Sequence, residues 1–544
     1  MARGLYLLRH RGPSQIQFWF IALVVGIAAG FAALFFRKGI DLLQSWVYAS
    51  GDMRSLATHA ANLPWYWLLL VPVLGGLAVG VLTHFFLSDS RVRGVAEVIE
   101  GAALFDGRVE KRKGLVSTLA SLITLSTGGS TGREGPVVHL AAVISSWVSN
   151  RIHADGITGR DLMGCAVAAA VSASFNAPIA GALFALEVVL RHFAVHAFAP
   201  IVIASAAGTV INRLEFGDIT EFSLPVEGGA LAFYVELPAF LILGLVSGLV
   251  AVVMMRSVFL TEQFANYLQS RTGLPNFLRP ACAGVLLGGL AIYFPHIIGV
   301  GYQTTSQALT GSLLLHEAIV FAILKTIAVA ITFGGRMGGG IFSPSLMMGG
   351  LVGLAFGIIA TGIFPEVSGS ETLYALAGMG AVAAAVLGAP VSTTLIVFEL
   401  TGDWQTGLAV MVAVSLSSAL ASRLVNRSFF LTQLEQRNVH LAAGPQAYLL
   451  AKVRVGRIMT PLGHAHAPPE DVLAQLIEQG KSVQSNATLE QALPLLERAK
   501  DGFLPVTTPS AGTEPSQLLG AVRYVDALKA FNRELSATAA EEHS

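Results

Sequence analysis

Long apolar stretches with very few charges recur along this chain, and they constrain its fold more than any other feature. Charged residues make up 12% of the 544 residues, about half of the roughly 25% found in soluble domains. The mean hydropathy is +0.65. The 34 basic and 34 acidic residues cancel, so no net charge attracts a nucleic acid. The sequence predicts an all-α polytopic membrane protein in a lipid bilayer, and it argues against a soluble enzyme or a nucleic-acid-binding protein.

The first apolar stretch, residues 18–36, is of membrane-spanning length and is followed by Arg37 and Lys38. It is too long for the core of a cleaved signal peptide. Because the preceding segment 1–15 is basic, we expect a retained helix with a cytoplasmic N-terminus. Further apolar segments lie at 65–87, 114–127, 136–149, 162–190, 196–213, 229–259, 278–299, 316–333, 340–364, 372–401 and 406–425. Several are short or broken by Gly or Pro, which indicates helices that stop or start at membrane depth.

Two pairs of sequence breaks repeat about 200 residues apart. Residues 176–178 (Asn-Ala-Pro) and 388–390 (Gly-Ala-Pro) precede a Leu and a Glu at the same spacing, at an offset of 212. Residues 132–136 and 340–344 both read Gly-x-x-x-Pro, at an offset of 208. The pattern predicts a transmembrane domain built from two repeats, about 16–213 and 229–425. Repeat-built transporters and channels hold their substrate at the repeat interface, where broken helices end.

Each Gly-x-x-x-Pro element predicts a loop followed by a helix that begins at its proline, because proline is tolerated at the first helical position. The glycine lets a ligand approach the backbone. The free N–H groups and the dipole at such a helix start favour an anion. Two such elements predict one anion site shared by both repeats. Alternatively, they are ordinary helix starts that bind nothing.

Glu134 lies inside the first of these elements. An ionisable side chain in a membrane segment points to function by default. Its carboxylate would compete with an anion for the same N–H groups, and protonation would release them. Glu134 is therefore predicted to be a gate or a proton carrier, and the alternative is a salt bridge with Arg133.

Together these motifs resemble the CLC family of chloride channels and proton-chloride exchangers, over roughly residues 16–440. The resemblance implies two inverted-topology repeats with broken helices, a homodimer with one anion pathway per subunit, and chloride as the transported ligand with no cofactor. It also implies a multi-pass protein of the cell membrane, here the bacterial inner membrane, with both termini cytoplasmic. Glu134 takes the role of the gating glutamate. Anion ligands are implied at the backbone amides of Arg133, Gly135, Ile341, Phe342 and Ser343.

Three positions depart from the family's pattern. Arg93 stands where the family has a serine ligand, and Phe430 where it has a tyrosine, so the central site lacks both hydroxyl groups. Arg93 either supplies a positive charge there or belongs to a cytoplasmic basic cluster. Val188 stands where exchangers carry an inner, proton-handling glutamate, with Glu187 beside it as a displaced relay. The resemblance favours a passive, proton-sensitive chloride channel, and the alternative is a proton-coupled chloride exchanger.

The sequence from Phe429 onward has no apolar stretch long enough to cross a membrane. Residues 452–461 resemble the start of a CBS module, and 441–535 are predicted to form a small α/β, CBS-like cytoplasmic domain with strands at 503–506 and 518–522. Only one motif is present instead of a pair, and Arg523 replaces its terminal Ser or Thr. We therefore expect a role in dimer stability instead of nucleotide binding. Residues 536–544 are predicted to be a disordered tail.

The remaining polar residues indicate no further chemistry. Glu399 is expected to pair or to cap a helix within the subunit or dimer core, and His139 to pack within a helix. The histidines show no metal-ligand spacing, and Cys165 and Cys282 lie in apolar stretches. We expect no metal site and no disulfide.

Overall fold

The computed structural model describes residues 14–50, 53–193, 195–217, 222, 233–439, 441, 450, 453–464, 467–499, 501–508 and 517–542. The basic segment predicted at 1–15 lies almost wholly outside this described part. The chain divides into two compact units, a membrane unit that ends at Asn438 and a C-terminal unit that begins at Val439.

The membrane unit is helical in all of its described regular structure. Its first half contains α1 (Gln15–Tyr48), α2 (Leu56–Ala61), α3 (Trp65–Phe86), α4 (Val95–Leu104), α5 (Lys111–Ser126), α6 (Glu134–Ile152), α7 (Gly156–Phe175), α8 (Pro178–Phe184) and α9 (Val195–Phe216). Its second half contains α10 (Phe233–Thr272), α11 (Arg279–Tyr293), α12 (Tyr302–Leu309), α13 (Leu315–Gly334), α14 (Phe342–Ile363), α15 (Glu371–Leu387), α16 (Pro390–Thr401), α17 (Trp404–Leu424) and α18 (Phe429–Glu435). Single 3₁₀ turns precede α2, α11 and α12.

Among the described residues, eight helical segments are long and apolar enough to cross a membrane. They contain α1, α3, α9, α10, α11, α13, α14 and the run from α17 through α18. The other helices are shorter and complete the packing between them. The prediction of a helical polytopic membrane protein is confirmed.

The two predicted breaks at Asn-Ala-Pro and Gly-Ala-Pro interrupt helices as expected. Asn176 ends α7 with a φ of 57°, and Gly388 ends α15 with a φ of 69°. These left-handed conformations suit asparagine and glycine, and they terminate a helix by turning the chain away from its axis. Pro178 and Pro390 then begin α8 and α16, where a missing N–H costs nothing.

Each half of the membrane unit caps a broken helix of the other half. The Glu187 carboxylate accepts hydrogen bonds from the backbone N–H groups of Val391 (3.0 Å) and Ser392 (2.7 Å) at the start of α16. The Glu399 carboxylate accepts from those of Ile179 (2.9 Å) and Ala180 (2.7 Å) at the start of α8. A negative charge at a helix N-terminus satisfies its free donors and its dipole. Glu399 therefore caps a helix, which is one of the two roles expected from the sequence.

The segment after α8 departs from regular α-helix. Ala185–Leu190 forms a π-helical turn that contains Glu187 and Val188. Such turns widen a helix by one residue and rotate the side chains that follow. Here the turn places the Glu187 carboxylate against α16, while the Val188 side chain is buried.

The C-terminal unit contains a four-stranded sheet with helices packed on it. Its elements are α19 (Val455–Ile458), β1 (Thr460–Pro461), α20 (Glu470–Glu478), β2 (Val483–Gln484), α21 (Leu489–Arg498), β3 (Phe503–Thr507), β4 (Leu518–Arg523) and α22 (Tyr524–Glu542). The strand order is β1-β4-β3-β2, with β2 parallel to β3 and the other neighbours antiparallel. Buried Val455, Leu489, Val506 and Val522 form the core.

One prediction for this unit is wrong. Residues from Ser536 onward were expected to be disordered, but α22 continues to Glu542. The composition of this stretch explains the difference, because its alanines and glutamates favour helix even where no apolar face requires it.

Candidate anion site

The two Gly-x-x-x-Pro loops meet in the buried interior of the membrane unit. Gly132 and Gly340 pair as an antiparallel bridge, with N–H to carbonyl distances of 2.7 and 2.8 Å. The Thr131 hydroxyl adds a third bond to the Gly340 carbonyl (2.9 Å). A Cβ atom at Gly340 would lie 2.8 Å from the backbone nitrogen of Gly135, which leaves no room for a side chain. The repeated glycines therefore allow the starts of two helices to touch.

The helices that follow these loops begin earlier than the sequence predicted. Arg133 and Ile341 are the N-cap residues, so α6 starts at Glu134 and α14 at Phe342. Pro136 and Pro344 are the third residues of their helices, not the first. Proline is tolerated there because the N–H groups of the whole first turn lack intrahelical partners. The free donors consequently lie ahead of each proline, on residues 134–135 and 342–343.

Glu134 is buried between the two loops, with 2% of its surface exposed. Its Oε1 accepts a hydrogen bond from the Ser343 hydroxyl (2.6 Å) and a longer one from the Tyr302 hydroxyl (3.4 Å). Its Oε2 has no hydrogen-bond partner among the described residues. The carboxylate thus occupies the meeting point of the two helix starts, where a bound anion would compete with it.

Arg133 lies beside Glu134, but its guanidinium is directed mainly toward other groups. Its Nη2 donates to the Ser174 carbonyl at the end of α7 (3.0 Å), and its guanidinium lies 5.2 Å from the centre of the Tyr302 ring. Its Nε is 3.9 Å from Glu134 Oε1, at the outer limit of an ion pair. The salt bridge considered as the alternative for Glu134 is therefore present only as this long contact.

Phe342 anchors the second helix start. Its ring centre lies 4.8 Å from that of Phe175 and 5.7 Å from that of Phe184, on both sides of the break between α7 and α8. Aromatic pairs at these distances contribute roughly 0.5–1.5 kcal/mol beyond burial. The start of α14 is therefore fixed against the broken helix of the first half.

Arg93 and Phe430, the two positions predicted to lack a hydroxyl ligand, line one cavity of about 70 Å³. Phe430, Ile341 and Gly135 line the same cavity as Arg93. The Arg93 guanidinium is 2.8 Å from Asp89 and 3.6 Å from Glu97, so carboxylates already balance its charge. None of the side chains lining this cavity, all of them described, carries a hydroxyl group.

The structure separates Glu187 and Val188 from this cavity's lining. Both carboxylate oxygens of Glu187 accept hydrogen bonds from the start of α16, where the Ser392 hydroxyl is a third donor at 2.5 Å. His139, which was expected to pack within a helix, is buried and its Nδ1 lies 2.9 Å from the Gly94 carbonyl. Within the described residues, no group of three or more His, Cys, Asp or Glu side chains is placed to hold a metal ion.

Tyr302, which contacts Glu134, was not predicted from the sequence. It begins α12 directly after Gly301, which has a φ of 92°, and Gly299, which has a φ of 64°. The available signal was the Gly-Val-Gly-Tyr run, since two closely spaced glycines in an apolar chain indicate a sharp turn in the backbone.

Comparison with known proteins identifies relatives across the membrane unit. The sequence pattern of the family described as Voltage gated chloride channel matches residues 75–422. A ClcB-like chloride channel protein of Ralstonia nicotianae is 32% identical over 401 residues, which cover 72% of this chain and 91% of the relative. The voltage-gated ClC-type chloride channel ClcB of Escherichia coli is 29% identical over 420 residues, which cover 75% of this chain and 97% of that protein.

Solved structures share the fold. A slow cyanobacterial Cl⁻/H⁺ antiporter superposes with a TM-score of 0.68 at 22% identity, over 77% of this chain and 97% of that one. A eukaryotic CLC transporter superposes with a TM-score of 0.65 at 18% identity, over 96% and 98% of the two chains. Together with the matched family pattern and the paired helix starts, these relatives establish that this multi-pass membrane protein belongs to the CLC family of anion-transporting chloride channels and transporters.

Proposed function

We propose that the protein is a channel through which chloride and similar small anions cross the membrane passively, gated by Glu134. The observation that carries the proposal is the position of the Glu134 carboxylate between the starts of α6 and α14. There it accepts the Ser343 hydroxyl at 2.6 Å and stands where those helix starts would favour an anion. Neutralising the carboxylate removes the competing charge and frees these donors.

The absence of a proton relay at the inner position supports a channel over an exchanger. Val188 cannot bind a proton, and Glu187 next to it is held by two backbone N–H groups and one hydroxyl of α16. Protonation removes the negative charge of a capping carboxylate, so its hydrogen bonds with the helix N–H groups become weaker. Glu187 therefore serves packing between the halves, and proton transfer through it would cost that packing.

The alternative is a proton-coupled chloride exchanger with a different inner proton route. It is supported by two structures of similar fold, described as a Cl⁻/H⁺ antiporter and a fluoride/proton antiporter. Their identities of 22% and 20% leave the residues of the proton route free to differ.

A reversal-potential measurement separates the two mechanisms. The purified protein is reconstituted into a planar bilayer under a chloride gradient, with and without an added pH gradient. A channel gives a reversal potential that follows the chloride gradient alone. A shift on adding the pH gradient, or uphill proton movement in sealed vesicles driven by chloride, would refute the channel and leave Glu187 as the first relay to replace.

We further propose a homodimer in the bacterial inner membrane, with both termini cytoplasmic and a CBS-like C-terminal unit that stabilises the dimer. Ile179 and Val391, at the starts of the two capped helices, expose 55% and 46% of their surface, and such apolar surface suits a helical partner. The C-terminal unit also has an open cavity of about 640 Å³ lined by Arg457, His464, Arg523, Lys529, Arg533 and Asp526. Titration of the full chain with ATP and AMP tests our expectation that it does not bind nucleotides.

A further inference from the structure

The cavity at the candidate anion site has four arginines in its lining. Gly135, Gly340, Ile341 and Phe430 line it at the helix starts. Its other lining residues include one acid, Glu262, and the cavity arginines, Arg91, Arg93, Arg336 and Arg437. With a volume of about 70 Å³, the cavity has room for only a few waters or one small anion. Any ion that moves through it passes close to these guanidinium groups.

Three of the cavity arginines are balanced by carboxylates. Arg93 is 2.8 Å from Asp89, Arg91 is 3.6 Å from Glu262, and Arg437 forms an ion pair with Glu97. An ion pair presents little net charge to an approaching anion. These three arginines therefore shape the cavity more than they attract ions to it.

Arg336 differs from the other three. Its Nη2 donates to the Asn266 amide oxygen at 3.2 Å, an oxygen that Arg279 also uses at 2.6 Å. Its Nε is buried and has no hydrogen-bond partner. Among the residues that the structure describes, no carboxylate oxygen lies within 4.0 Å of the Arg336 guanidinium nitrogens, the distance limit for an ion pair. Glu262 and Asp89 act on Arg336 only from beyond ion-pair distance, and each is already paired with another arginine of the cavity.

The backbone conformation of Arg336 is unfavourable for an arginine, which indicates that its side chain is needed for more than packing. Its φ is 58°, in the left-handed region that most side chains avoid, and it lies between Gly335 and Gly338 in a glycine-rich turn. Such a conformation costs a non-glycine residue free energy, and glycine would relieve it. An arginine in this position places a guanidinium beside a loop that itself leads to Gly340 and Ile341.

We propose that Arg336 is an anion-capture residue, which holds chloride or another small anion in the cavity before the anion reaches the helix starts. The proposal rests on the anion-transport function proposed above and names one residue that governs access to the same site. A guanidinium is weakly hydrated and offers several N–H donors, so it can exchange water for an anion readily. In a cavity whose lining side chains carry no hydroxyl, this cation attracts the ion and the backbone N–H groups then receive it.

The test compares chloride currents of the wild type and Arg336→Gln at low and high ionic strength. Ionic strength is raised with an impermeant salt at constant low chloride. We expect Arg336→Gln to reduce the current severalfold at low ionic strength, because charge in a narrow cavity raises the local ion concentration. The reduction should shrink at about 1 M salt, where the screening length falls to about 3 Å. It should also be larger for ions moving from the cavity side, which appears as rectification in a planar bilayer.

Three further variants keep the test decisive. Arg336→Lys retains the charge and should retain most of the current. Arg336→Gly relaxes the left-handed backbone while removing the charge, so its loss of current cannot arise from strain. Arg256→Gln is the matched control, because Arg256 is likewise held by a neutral oxygen, the Leu424 carbonyl at 3.0 Å, but does not line the cavity. It should behave as the wild type.

The results that would overturn the proposal are distinct from a failure of the proposed function. A wild-type current in Arg336→Gln at low ionic strength, or an equal loss at every ionic strength, would refute anion capture by Arg336. In both cases the pH dependence of the chloride flux, which we assign to Glu134, would remain. If the wild-type protein itself conducts no chloride, the proposed function fails instead.

Discussion

The groups that donate hydrogen bonds to Glu134 lie outside its own Gly-x-x-x-Pro motif. Ser343 belongs to the second motif, but Tyr302 comes from α12, a helix without any motif of its own. Both hydroxyls donate to the same oxygen, Oε1, so protonation at Oε2 can neutralise the group without breaking either bond. This geometry suits a carboxylate that changes charge in place.

Replacing Glu134 by Gln should make chloride flux nearly independent of pH. The amide has the shape of the protonated acid but cannot titrate, so no charge competes with the anion at any pH. Chloride efflux from proteoliposomes, measured from acidic to neutral pH, checks this. Ser343→Ala is the matched control, since it removes a neighbouring donor but leaves the titrating group, and it should keep a pH-dependent flux. If Glu134→Gln keeps the wild-type profile, another group is the gate.

Phe430 offers a second test of the site. It is buried in the lining of the cavity with Ile341, and it has no hydrogen-bonding group. Phe430→Tyr adds a hydroxyl donor, and one neutral hydrogen bond contributes about 0.5–1.5 kcal/mol. Chloride binding should tighten by about threefold to tenfold, which calorimetric titration of the purified protein would measure. Phe430→Leu should leave the affinity unchanged. Unchanged or weaker binding in Phe430→Tyr would mean that the ring does not face the anion.

At the scale of helices, the sequence was informative wherever a break has a local cause. Asn176 and Gly388 end helices because both tolerate positive φ, and Pro178 and Pro390 begin the next ones because they need no N–H partner. These preferences are properties of single residues and their neighbours. They can therefore be derived without knowing what surrounds them.

What the sequence could not provide are contacts between distant parts of the chain. Tyr302 meets Glu134 across 168 residues, and Glu187 reaches α16 across about 205. The early start of α6 has the same origin, because pairing of Gly132 with Gly340 fixes the loop before Pro136 is reached. Arg336 was hidden for a further reason, since its lack of a carboxylate partner is a property of the folded cavity.

The two helix caps provide a prediction at this scale. Glu187→Gln should destabilise the protein, because the amide has a single acceptor oxygen and its NH2 group would leave one backbone N–H of α16 without an acceptor. An unsatisfied buried donor costs about 1–3 kcal/mol. Thermal unfolding in detergent should show a lowered midpoint, and Glu399→Gln should lower it similarly through α8. A loss of proton coupling in Glu187→Gln, instead of a loss of stability, would favour the exchanger.

At the scale of the whole molecule, the described site residues all belong to the membrane unit. The C-terminal unit, from Val439 onward, has its own sheet and core and contributes none of them. Transport and dimer stability can therefore be tested separately on one chain.

A chain that ends at Asn438 should retain chloride flux with the wild-type pH profile. It should dissociate into monomers at a lower detergent concentration and at a higher protein concentration than the wild type does, if the C-terminal unit stabilises the dimer as proposed. Flux in proteoliposomes and mass by light scattering measure the two properties. A truncated chain that stays as firmly dimeric as the wild type would refute the proposed role of the C-terminal unit, and one that transports nothing would refute the separation.

The exchange of caps between the halves has a consequence for how such a chain is made and where it came from. During synthesis the N–H groups at the start of α8 lack their acceptor until Glu399 is added, about 220 residues later. The first half therefore cannot complete its hydrogen bonds while it is alone in the membrane. The same bonds would form between two identical short chains, each offering a carboxylate and a bare helix start to the other. A gene for one half, expressed as a separate polypeptide, would thus already encode the means of pairing, and duplication followed by fusion would only have joined what was already assembled.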